Sequence, residues 1–241
     1  MAKTKAPKAV KKLTGLIESV RVTVAAMNVR LYDMRELVLA EYKSQLEPNI
    51  ATRSLENFDA TVRNVLYADE TPILGMGFIA DQHWLGHDQI HWWYRSPDPG
   101  GTLQPLTAGT DPESFDYYDV TAADWWTAAA ASEHPCTSGP YVDLSGTNAY
   151  VVTFSLCVRT PDQLLGVVAV DMPVGEFQAR WQDALLDLPR PTSLIDSQGA
   201  VIATNAGRLL GAVIDPAEIA NVARHEVPQT SWFVAQGLTA D

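Results

Sequence analysis

Cysteine is scarce in this chain of 241 residues, which contains only Cys136 and Cys157. Two cysteines cannot form the disulfide framework that stabilises small secreted domains, so we expect both to be buried free thiols. The fold must therefore be stabilised by a hydrophobic core. With 46% hydrophobic residues, the chain can form one large domain or two small modules.

Long apolar runs are also missing. No stretch of about 18 apolar residues is free of charge, and Glu18 and Arg21 interrupt the run that an export signal would need behind the N-terminal lysines. We therefore expect no transmembrane helix, no membrane partner and a cytoplasmic location, unless the chain is an excised fragment of a larger protein.

Basic residues are few outside the N-terminal tail. The formal net charge is −12, and residues 1–12 contain five lysines and no acid, so the remaining chain is more acidic than this value. An acidic body repels nucleic acid and anionic membranes. We expect no nucleic-acid partner, and we interpret residues 1–12 as a solvated basic tail.

Signatures of catalysis are missing or incomplete. No serine lies in a G-x-S-x-G turn, and neither cysteine has the sequence context of a nucleophile. Gly75, Gly77 and Ala80 match the G-x-G-x-x-A pattern of dinucleotide sites, but no convincing helix follows them. We expect no cofactor and no enzymatic activity.

Three histidines supply the main enzymatic alternative. His83, His87 and His91 recur at four-residue steps, which on a helix would place them on one face, as a zinc or iron site requires. Trp84 stands where a zinc protease has a glutamate, and Gly86 weakens the helix. These histidines form either a metal-dependent active site or an ordinary loop cluster.

The N-terminal region shows the pattern of one long helix from residue 13 to residue 46. Its apolar residues follow alternating steps of four and three, a heptad seam that either pairs two chains or lies along its own domain. A second apolar side, formed by Val22, Val29, Leu37 and Leu39, is available to pack on the body, so we expect a homodimer through this helix. The seam consists of Leu13, Ile17, Val20, Val24, Met27, Leu31, Met34 and Val38.

The order of the elements predicts an α+β protein with three structured parts. Pro48 ends the first helix, and a second helix up to about residue 67 completes a helical stalk of residues 13–67. Strand patterns then predict a module over residues 68–188. Pro189 and Pro191 precede a second, smaller module over residues 189–241.

Aromatic residues crowd the first module. The densest stretch, FDYYDVTAADWW at 115–126, joins a strand to a helix that Thr121 and Asp124 are expected to start as a capping box. A ring face over a cation contributes about 0.5–2 kcal/mol, so several rings with one carboxylate can bind an ammonium group. The alternative is that the rings are ordinary core. The candidates are Trp93, Tyr118, Trp125, Trp126, Tyr141 and Tyr150.

Asp171 closes the apolar strand predicted over residues 164–170. Alternation places it on the strand face of Val167 and Ala169, where an unpaired carboxylate is costly. A bound ammonium group would compensate the charge. Capping the helix that starts near Pro173 would also do so, because aspartate is a favoured N-cap residue.

Several segments together resemble the double Cache (dCache) ligand-sensing domains. FDYYDVTAADWW, SGPYVD, AYVVTFSLCV and LLGVVAVDM are similar to the ligand-binding module, and LIDSQGAVIATN is similar to the start of the second module. The resemblance covers most of the chain. It implies a long N-terminal helix with two PAS-like antiparallel-sheet modules, and a non-catalytic sensor. Members of the family are usually tethered to signalling domains; because we find no output domain in this sequence, we expect the signal to pass to a separate regulator or transporter. A dimerising adaptor whose own side chains fill the pocket is a further possibility.

The resemblance also implies roles for individual residues. In the amino-acid-sensing branch of the family, residues matching Tyr141 and Asp171 hold the ligand's ammonium group. Ala123 stands where that branch has the arginine that grips the ligand's carboxylate. We therefore expect an amine or quaternary ammonium ligand, with an amino acid as the alternative if Arg95 or another basic residue reaches the pocket. The aromatic pocket residues implied by the resemblance are Tyr118, Trp125 and Trp126.

Overall fold

The computed structural model describes residues 8–44, 55–68, 72–85, 90–96, 101–107, 109, 113, 119–144 and 146–238. These residues form six α-helices and ten β-strands, which group into two compact units. One unit is Met27–Pro173, and the other combines Met1–Ala26 with Val174–Asp241. In the described ranges, no helix has the length and hydropathy needed to span a bilayer.

The first helix, α1, runs over Lys8–Ser44. Its predicted seam is buried by the chain itself, with every member except the half-buried Ile17 at most 8% exposed. The other side is open to solvent, and Val22 and Val29 are 53% and 58% exposed. The expectation that the seam pairs two chains is therefore wrong, because the seam is the face that packs within the chain.

The second helix, α2, spans Glu56–Ala68 and buries Phe58, Val62 and Leu66 at the predicted helical spacing. Pro48 and the predicted start of this helix lie outside the described residues. Phe58 meets Phe78 edge to face, with ring centroids 6.1 Å apart. The helix therefore covers the sheet face on which Phe78 lies.

Six strands of the Met27–Pro173 unit form one antiparallel sheet. Their order is β3-β2-β1-β6-β5-β4, so the two long strands β5 and β6 lie inside the sheet. Residues 151–158 of β5 are buried on both faces of the sheet. The strands are β1 (Gly75–Ala80), β2 (Ile90–Arg95), β3 (Leu103–Pro105), β4 (Cys136–Val142), β5 (Tyr150–Arg159) and β6 (Leu164–Pro173).

The glycines of the G-x-G-x-x-A pattern have a structural role in β1. A Cβ atom added to Gly77 would lie 2.2 Å from the backbone oxygen of His91 in the paired strand β2. Only glycine permits this close approach of the two backbones. The pattern therefore reflects strand packing.

The histidines do not share a helix. The short helix α3 covers only Gln82–Leu85, and His91 lies in β2. His83 is exposed, whereas the Nδ1 atom of His91 contacts Asp59 Oδ2 at 2.9 Å. The helical alignment is therefore wrong for His83 and His91, and His87 lies outside the described residues. Among the described residues, no group of three or more His, Cys, Asp or Glu side chains could hold a metal ion.

The other unit contains a smaller antiparallel sheet of order β8-β7-β10-β9. Helix α5 (Val174–Leu186) packs on β8, and its Phe177 stacks on Trp181 with ring centroids 5.1 Å apart. The sequence analysis placed this helix in the first module, residues 68–188. The boundaries proposed for the two modules are untested and stay a prediction. The remaining elements are β7 (Thr192–Ile195), β8 (Val201–Thr204), α6 (Pro216–Ile219), β9 (Ala223–Glu226) and β10 (Phe233–Gln236).

Candidate functional site

Helix α4 (Asp124–Ala130) lies over the sheet face opposite to α2, and its start differs from the predicted capping box. Asp119 accepts hydrogen bonds from the backbone N–H and the hydroxyl of Thr121, at 3.1 and 2.6 Å, and so caps a preceding 3₁₀ turn. The N-cap of α4 is Ala123, whose side chain cannot cap the helix. The capping-box prediction is wrong because Thr121 lies within the preceding 3₁₀ turn and is therefore not the N-cap residue of α4.

One face of β5 holds α4 in place. The Ser155 hydroxyl donates to the carbonyl oxygen of Trp125 at 2.9 Å, in the first turn of the helix. Cys157 Sγ donates to the Ser132 carbonyl at 2.9 Å, and Arg159 donates to a carbonyl at the last residue of α4. These side chains are two residues apart in β5 and therefore lie on one face of the strand. This face also forms the floor of the space beneath α4.

A cavity of about 20 Å³ lies between α4 and the sheet. This volume accommodates about one water molecule. Its walls are mainly apolar and aromatic, and its polar groups lie on β4–β6 and the loop after β4. The described lining residues are Ile79, Trp92, Leu106, Trp125, Tyr141, Asp143, Thr153 and Asp171.

Asp171 is the most deeply buried charged group of this cavity, with 4% of its surface exposed. It lies directly opposite Thr153 in the β5–β6 pairing, and the Thr153 hydroxyl donates to Asp171 Oδ1 at 2.6 Å. The Tyr141 hydroxyl lies 2.7 Å from Thr153 Oγ1. Because the Thr153 hydrogen is directed to the carboxylate, Tyr141 is the donor in this contact. Thr153, rather than a helix N-terminus, is therefore the observed donor to Asp171.

A second carboxylate, Asp143, lies at the rim of the same cavity and is 9% exposed. Its Oδ2 atom accepts from the backbone N–H of Thr147 at 2.7 Å and from the Thr147 hydroxyl at 3.1 Å. No lysine or arginine is among the described lining residues. The cavity therefore carries acidic groups without a basic side chain from the described part of the chain.

The environment of Asp171 favours the neutral carboxyl. Burial raises the pKa of Asp171 to about 8, the Thr153 hydrogen bond opposes this rise, and the nearby Asp143 charge adds to it. Burial has the largest effect because a charge in an apolar site loses its hydration. The carboxyl of Asp171 is therefore neutral in the folded protein at pH values well below about 8.

This raised pKa predicts a pH-dependent stability. Between the ordinary carboxyl pKa of about 4 and the folded value, the unfolded chain releases the proton and the folded chain retains it. Stability should therefore fall as pH rises through this window, by up to about 1.4 kcal/mol per pH unit. Asp171→Asn should lack this component. Urea unfolding of both proteins at about pH 5, 6.5 and 8 measures it, and identical pH dependence of the two proteins would contradict the prediction.

Three predicted site residues come together in the cavity. Trp125 reaches it from α4, Tyr141 from β4 and Asp171 from β6, on the strand face shared with Val167 and Ala169 as predicted. These residues are far apart in the sequence, and the antiparallel sheet brings their strands together.

The other predicted residues lie elsewhere. Trp126 packs edge to face against Trp125 in the core under α4, and it is not among the residues that line the cavity. Trp93 lies on the opposite sheet face, where the Arg63 guanidinium is 5.1 Å from its ring centre. Tyr150 is 37% exposed at the start of β5. Tyr118 lies outside the described residues.

Arg95 does not approach the cavity. Its guanidinium donates to the Leu66 carbonyl of α2, on the same sheet face as Trp93. Strand alternation accounts for this placement, because β2 directs Trp92 and Tyr94 toward α4 and directs Trp93 and Arg95 toward α2. Within the described part of the chain, neither Arg95 nor another basic side chain lines the cavity, which was the condition under which an amino acid was expected.

Sequence reasoning missed Trp92, Thr153 and Asp143. The indole N–H of Trp92 is buried and has no hydrogen-bond partner among the described residues. It lies 2.7 Å from the position of a Cβ added to Gly75, the residue paired with Asp171. The available signal for Thr153 was the alternation of small polar side chains in TFSLCVR, where Thr153, Ser155 and Cys157 lie two residues apart. This alternation marks the strand face that contacts α4.

Comparison with known proteins agrees with this architecture. Residues 90–179 match the family model described as methyl-accepting chemotaxis protein-like, first PDC sensor domain. This segment contains β2 to β6 and α4, and hence nearly all of the cavity. The chain has the double Cache fold. The predicted fold class and the resemblance to double Cache sensor domains are thereby confirmed.

Three solved structures that are similar to this chain come from chemotaxis proteins. A methyl-accepting chemotaxis protein X is 15% identical, with 96% of each chain covered and a TM-score of 0.70. The ligand-binding domain of Campylobacter jejuni Tlp3 in complex with L-norvaline is 14% identical, covers 95% of this chain and 88% of that one, and has a TM-score of 0.62. The corresponding domain of Pseudomonas fluorescens CtaA in complex with L-valine is 14% identical, with 94% and 93% covered and a TM-score of 0.60. No curated protein matches the sequence.

Proposed function

We propose that this chain is a non-catalytic sensor domain that binds a small amine or quaternary ammonium ligand in the cavity beneath α4. The observation that carries the proposal is the buried Asp171 carboxyl in an aromatic cavity without a described basic side chain. A cationic ligand would supply the missing opposite charge. The double Cache fold supports the sensor role, because its similar structures include chemoreceptor ligand-binding domains.

The aromatic walls suit a cation. Trp92, Trp125 and Tyr141 line the cavity together with Asp171. Each ring face that meets a cation contributes about 0.5–2 kcal/mol, with the larger values in desolvated sites. Three rings would contribute about 1.5–6 kcal/mol of the about 8 kcal/mol that micromolar affinity requires, and the ion pair with Asp171 would supply the remainder.

A ligand larger than water requires the cavity to widen. The cover, α4, has only seven residues, and no side chain caps its N-terminus. Its first turn is joined to β5 through the Ser155 hydroxyl. We expect the ligand to displace this turn, and the displacement is the simplest way in which occupancy becomes a structural signal.

An amino acid is the second candidate. The Tlp3 and CtaA domains were solved with L-norvaline and L-valine, which carry a carboxylate beside the ammonium group. The indole N–H of Trp92, which has no partner among the described residues and lies close to Gly75 opposite Asp171, is a donor that such a carboxylate could use. Against this candidate stand Ala123 at the arginine position and the binding of Arg95 to α2.

A thermal-shift screen with matched ligands separates these candidates. Each amine is tested beside its neutral N-acetyl derivative and beside the amino acid of which it is the decarboxylated form, and quaternary amines are included. We expect the amines to raise the melting temperature and the N-acetyl derivatives to have no effect. A response only to amino acids would favour the second candidate. Equal responses to amines and their N-acetyl derivatives would contradict both.

We further propose that the chain dimerises through the exposed side of α1 and signals to a separate regulator or transporter. Val22 and Val29 are the exposed apolar residues on this side. Val29→Glu should raise the dimer dissociation constant at least ~10-fold, because two glutamates would be buried against each other. Sedimentation velocity measures this, with Leu186→Glu, at a 60% exposed position of α5, as the control. Unchanged association of Val29→Glu would contradict the proposal.

The cytoplasmic location stays a prediction.

A further inference from the structure

We propose that binding of a cationic ligand in this cavity is coupled to the release of one proton from Asp171, and that Thr153 is the positioning residue that sets the pH range of this exchange. The inference rests on the proposed function, since it concerns the same site. It describes how the site is regulated and which net charge it presents before and after binding.

The first argument is the position of Asp171 inside the sheet. The residue lies between Gly75 of β1 and Thr153 of β5 in the strand register, so neither neighbour offers a positive charge. Among the described residues, the titratable groups on this sheet face are Tyr94 from β2, Cys136 and Tyr141 from β4, Asp143 from the loop after β4, and Cys157 and Arg159 from β5. Arg159 lies at the opposite end of β5 from Tyr150 and donates to the Ala130 carbonyl at the end of α4, so it does not line the cavity. The buried side chains of α4 are Trp125, Trp126 and Ala129, none of which titrates.

Two arginines of this unit lie on the other sheet face. Arg95 donates to the Leu66 carbonyl, and Arg63 covers the Trp93 ring. Both contacts belong to the layer formed by α2 and β2. The described surroundings of Asp171 thus combine burial, a like charge at Asp143 and a single neutral hydroxyl donor.

A lone carboxylate in such surroundings is unfavourable. The cost of leaving a charge unpaired in the interior is several kcal/mol. One hydrogen bond from a neutral hydroxyl to the charged carboxylate recovers only about 1.5–3 kcal/mol of this cost. The carboxyl therefore retains its proton near neutral pH, in agreement with the raised pKa of Asp171. A bound ammonium group reverses the balance, because the ion pair stabilises the charged form.

The exchange balances in atoms and charge. The O–H bond of the Asp171 carboxyl breaks, its proton passes to solvent, and the carboxylate pairs with the ligand's positive nitrogen. One positive charge enters and one leaves, so the net charge of the cavity is unchanged. No electron transfer and no further reactant are required.

Thr153 controls this exchange through the direction of its hydrogen bond. Its hydroxyl donates to Asp171 Oδ1 at 2.6 Å, and it contacts the Tyr141 hydroxyl at 2.7 Å. Both bonds point toward the carboxyl, an arrangement that favours the charged form. Removing the hydroxyl should therefore move the release of the proton to higher pH, whereas a serine should retain it.

Calorimetry with choline tests the coupling, because the positive charge of choline does not depend on pH. At about pH 6.5, titrations in two buffers with different ionisation enthalpies should show the release of about one proton, and at about pH 9 almost none. Affinity should rise about tenfold per pH unit below the folded pKa of Asp171 and level off above it. Binding with equal heats in both buffers and no pH dependence would overturn the coupling and leave the proposed function intact.

Two variants show whether Thr153 acts through the carboxyl. Thr153→Val should weaken choline binding about tenfold near neutral pH and little at high pH, and Thr153→Ser should behave as the wild type. A purely structural role of Thr153 would weaken binding equally at all pH values, which would contradict its assignment.

A measurement without ligand completes the test. Infrared difference spectra of wild type against Asp171→Asn should show a protonated carboxyl band at about pH 6.5 that disappears above about pH 9. Absence of this band at the lower pH would overturn the coupling, whatever choline does. If the band is present but neither choline nor any other ammonium compound binds, the proposed function fails and the coupling fails with it.

Discussion

Asp171→Asn is expected to lower the affinity for amine and quaternary ammonium ligands at least ~100-fold. Asparagine has nearly the shape of aspartic acid, and its amide oxygen can still accept the hydrogen bond from Thr153. It cannot become negative, so a bound cation would be buried without an opposite charge. Losing one partner of a buried charge pair costs about 2–5 kcal/mol, and each 1.4 kcal/mol is about tenfold in affinity.

Isothermal titration at a pH above the folded pKa of Asp171 measures this effect most clearly, because the wild-type carboxyl is then charged before binding. Asp162→Asn is the matched control, since it removes the same charge from an exposed turn between β5 and β6. The control should bind as the wild type does. An Asp171→Asn variant that keeps its stability and binds within about threefold of the wild type would remove Asp171 from the site.

Gly77→Ala is expected to destabilise the protein by about 3 kcal/mol or more. The added Cβ would lie 2.2 Å from the His91 carbonyl oxygen and 2.7 Å from the Trp92 Cα atom, both of which belong to the backbone of β2. Neither atom can move without disturbing the pairing of β1 with β2. Trp92 would move with the strand, so the cavity wall should be lost together with stability.

Gly15→Ala supplies the control for this substitution. Gly15 lies in α1 with no atom within 4 Å of an added Cβ. Alanine there should stabilise the helix by about 0.5–1 kcal/mol. Urea unfolding followed by circular dichroism compares the two variants. Equal midpoints for Gly77→Ala and the wild type would show that β1 and β2 do not approach as closely as the structure indicates.

Secondary-structure elements were predictable where a regular hydrophobic pattern continues over many residues. The heptad spacing correctly predicted α1, and the apolar run at residues 164–170 correctly predicted β6. Period alone does not state what a buried face packs against. For this reason the seam of α1 was assigned to a second chain, although Val20 and Leu31 are fully buried within a single one.

The site was predictable only in part, and the strand β2 shows why. Alternation in HWWYR puts Trp92 and Trp93 on opposite faces, but the sequence does not state which face carries the cavity. That choice depends on where α2 and α4 pack, which is a tertiary property. Trp93 was therefore chosen and Trp92 was missed.

Local chemistry also misled the prediction near α4. Thr121 and Asp124 have the spacing of a capping box, but Asp119 two residues earlier captures Thr121 in a 3₁₀ turn. By contrast, Tyr141 and Asp171 were identified through the family resemblance and do line the cavity. Thr153, which joins them, was missed because a threonine in a buried strand is an ordinary β-sheet residue.

A crystal structure of the protein in complex with a quaternary ammonium or amine hit from the screen tests the central claim most directly. The claim predicts the ligand's positive nitrogen beneath α4, with an ammonium N–H within about 3 Å of the Asp171 carboxylate or a quaternary nitrogen enclosed by Trp92, Trp125 and Tyr141. It also predicts a cavity wider than about 20 Å³ through movement of the first turn of α4. A ligand bound elsewhere, with Asp171 and α4 unchanged, would contradict it.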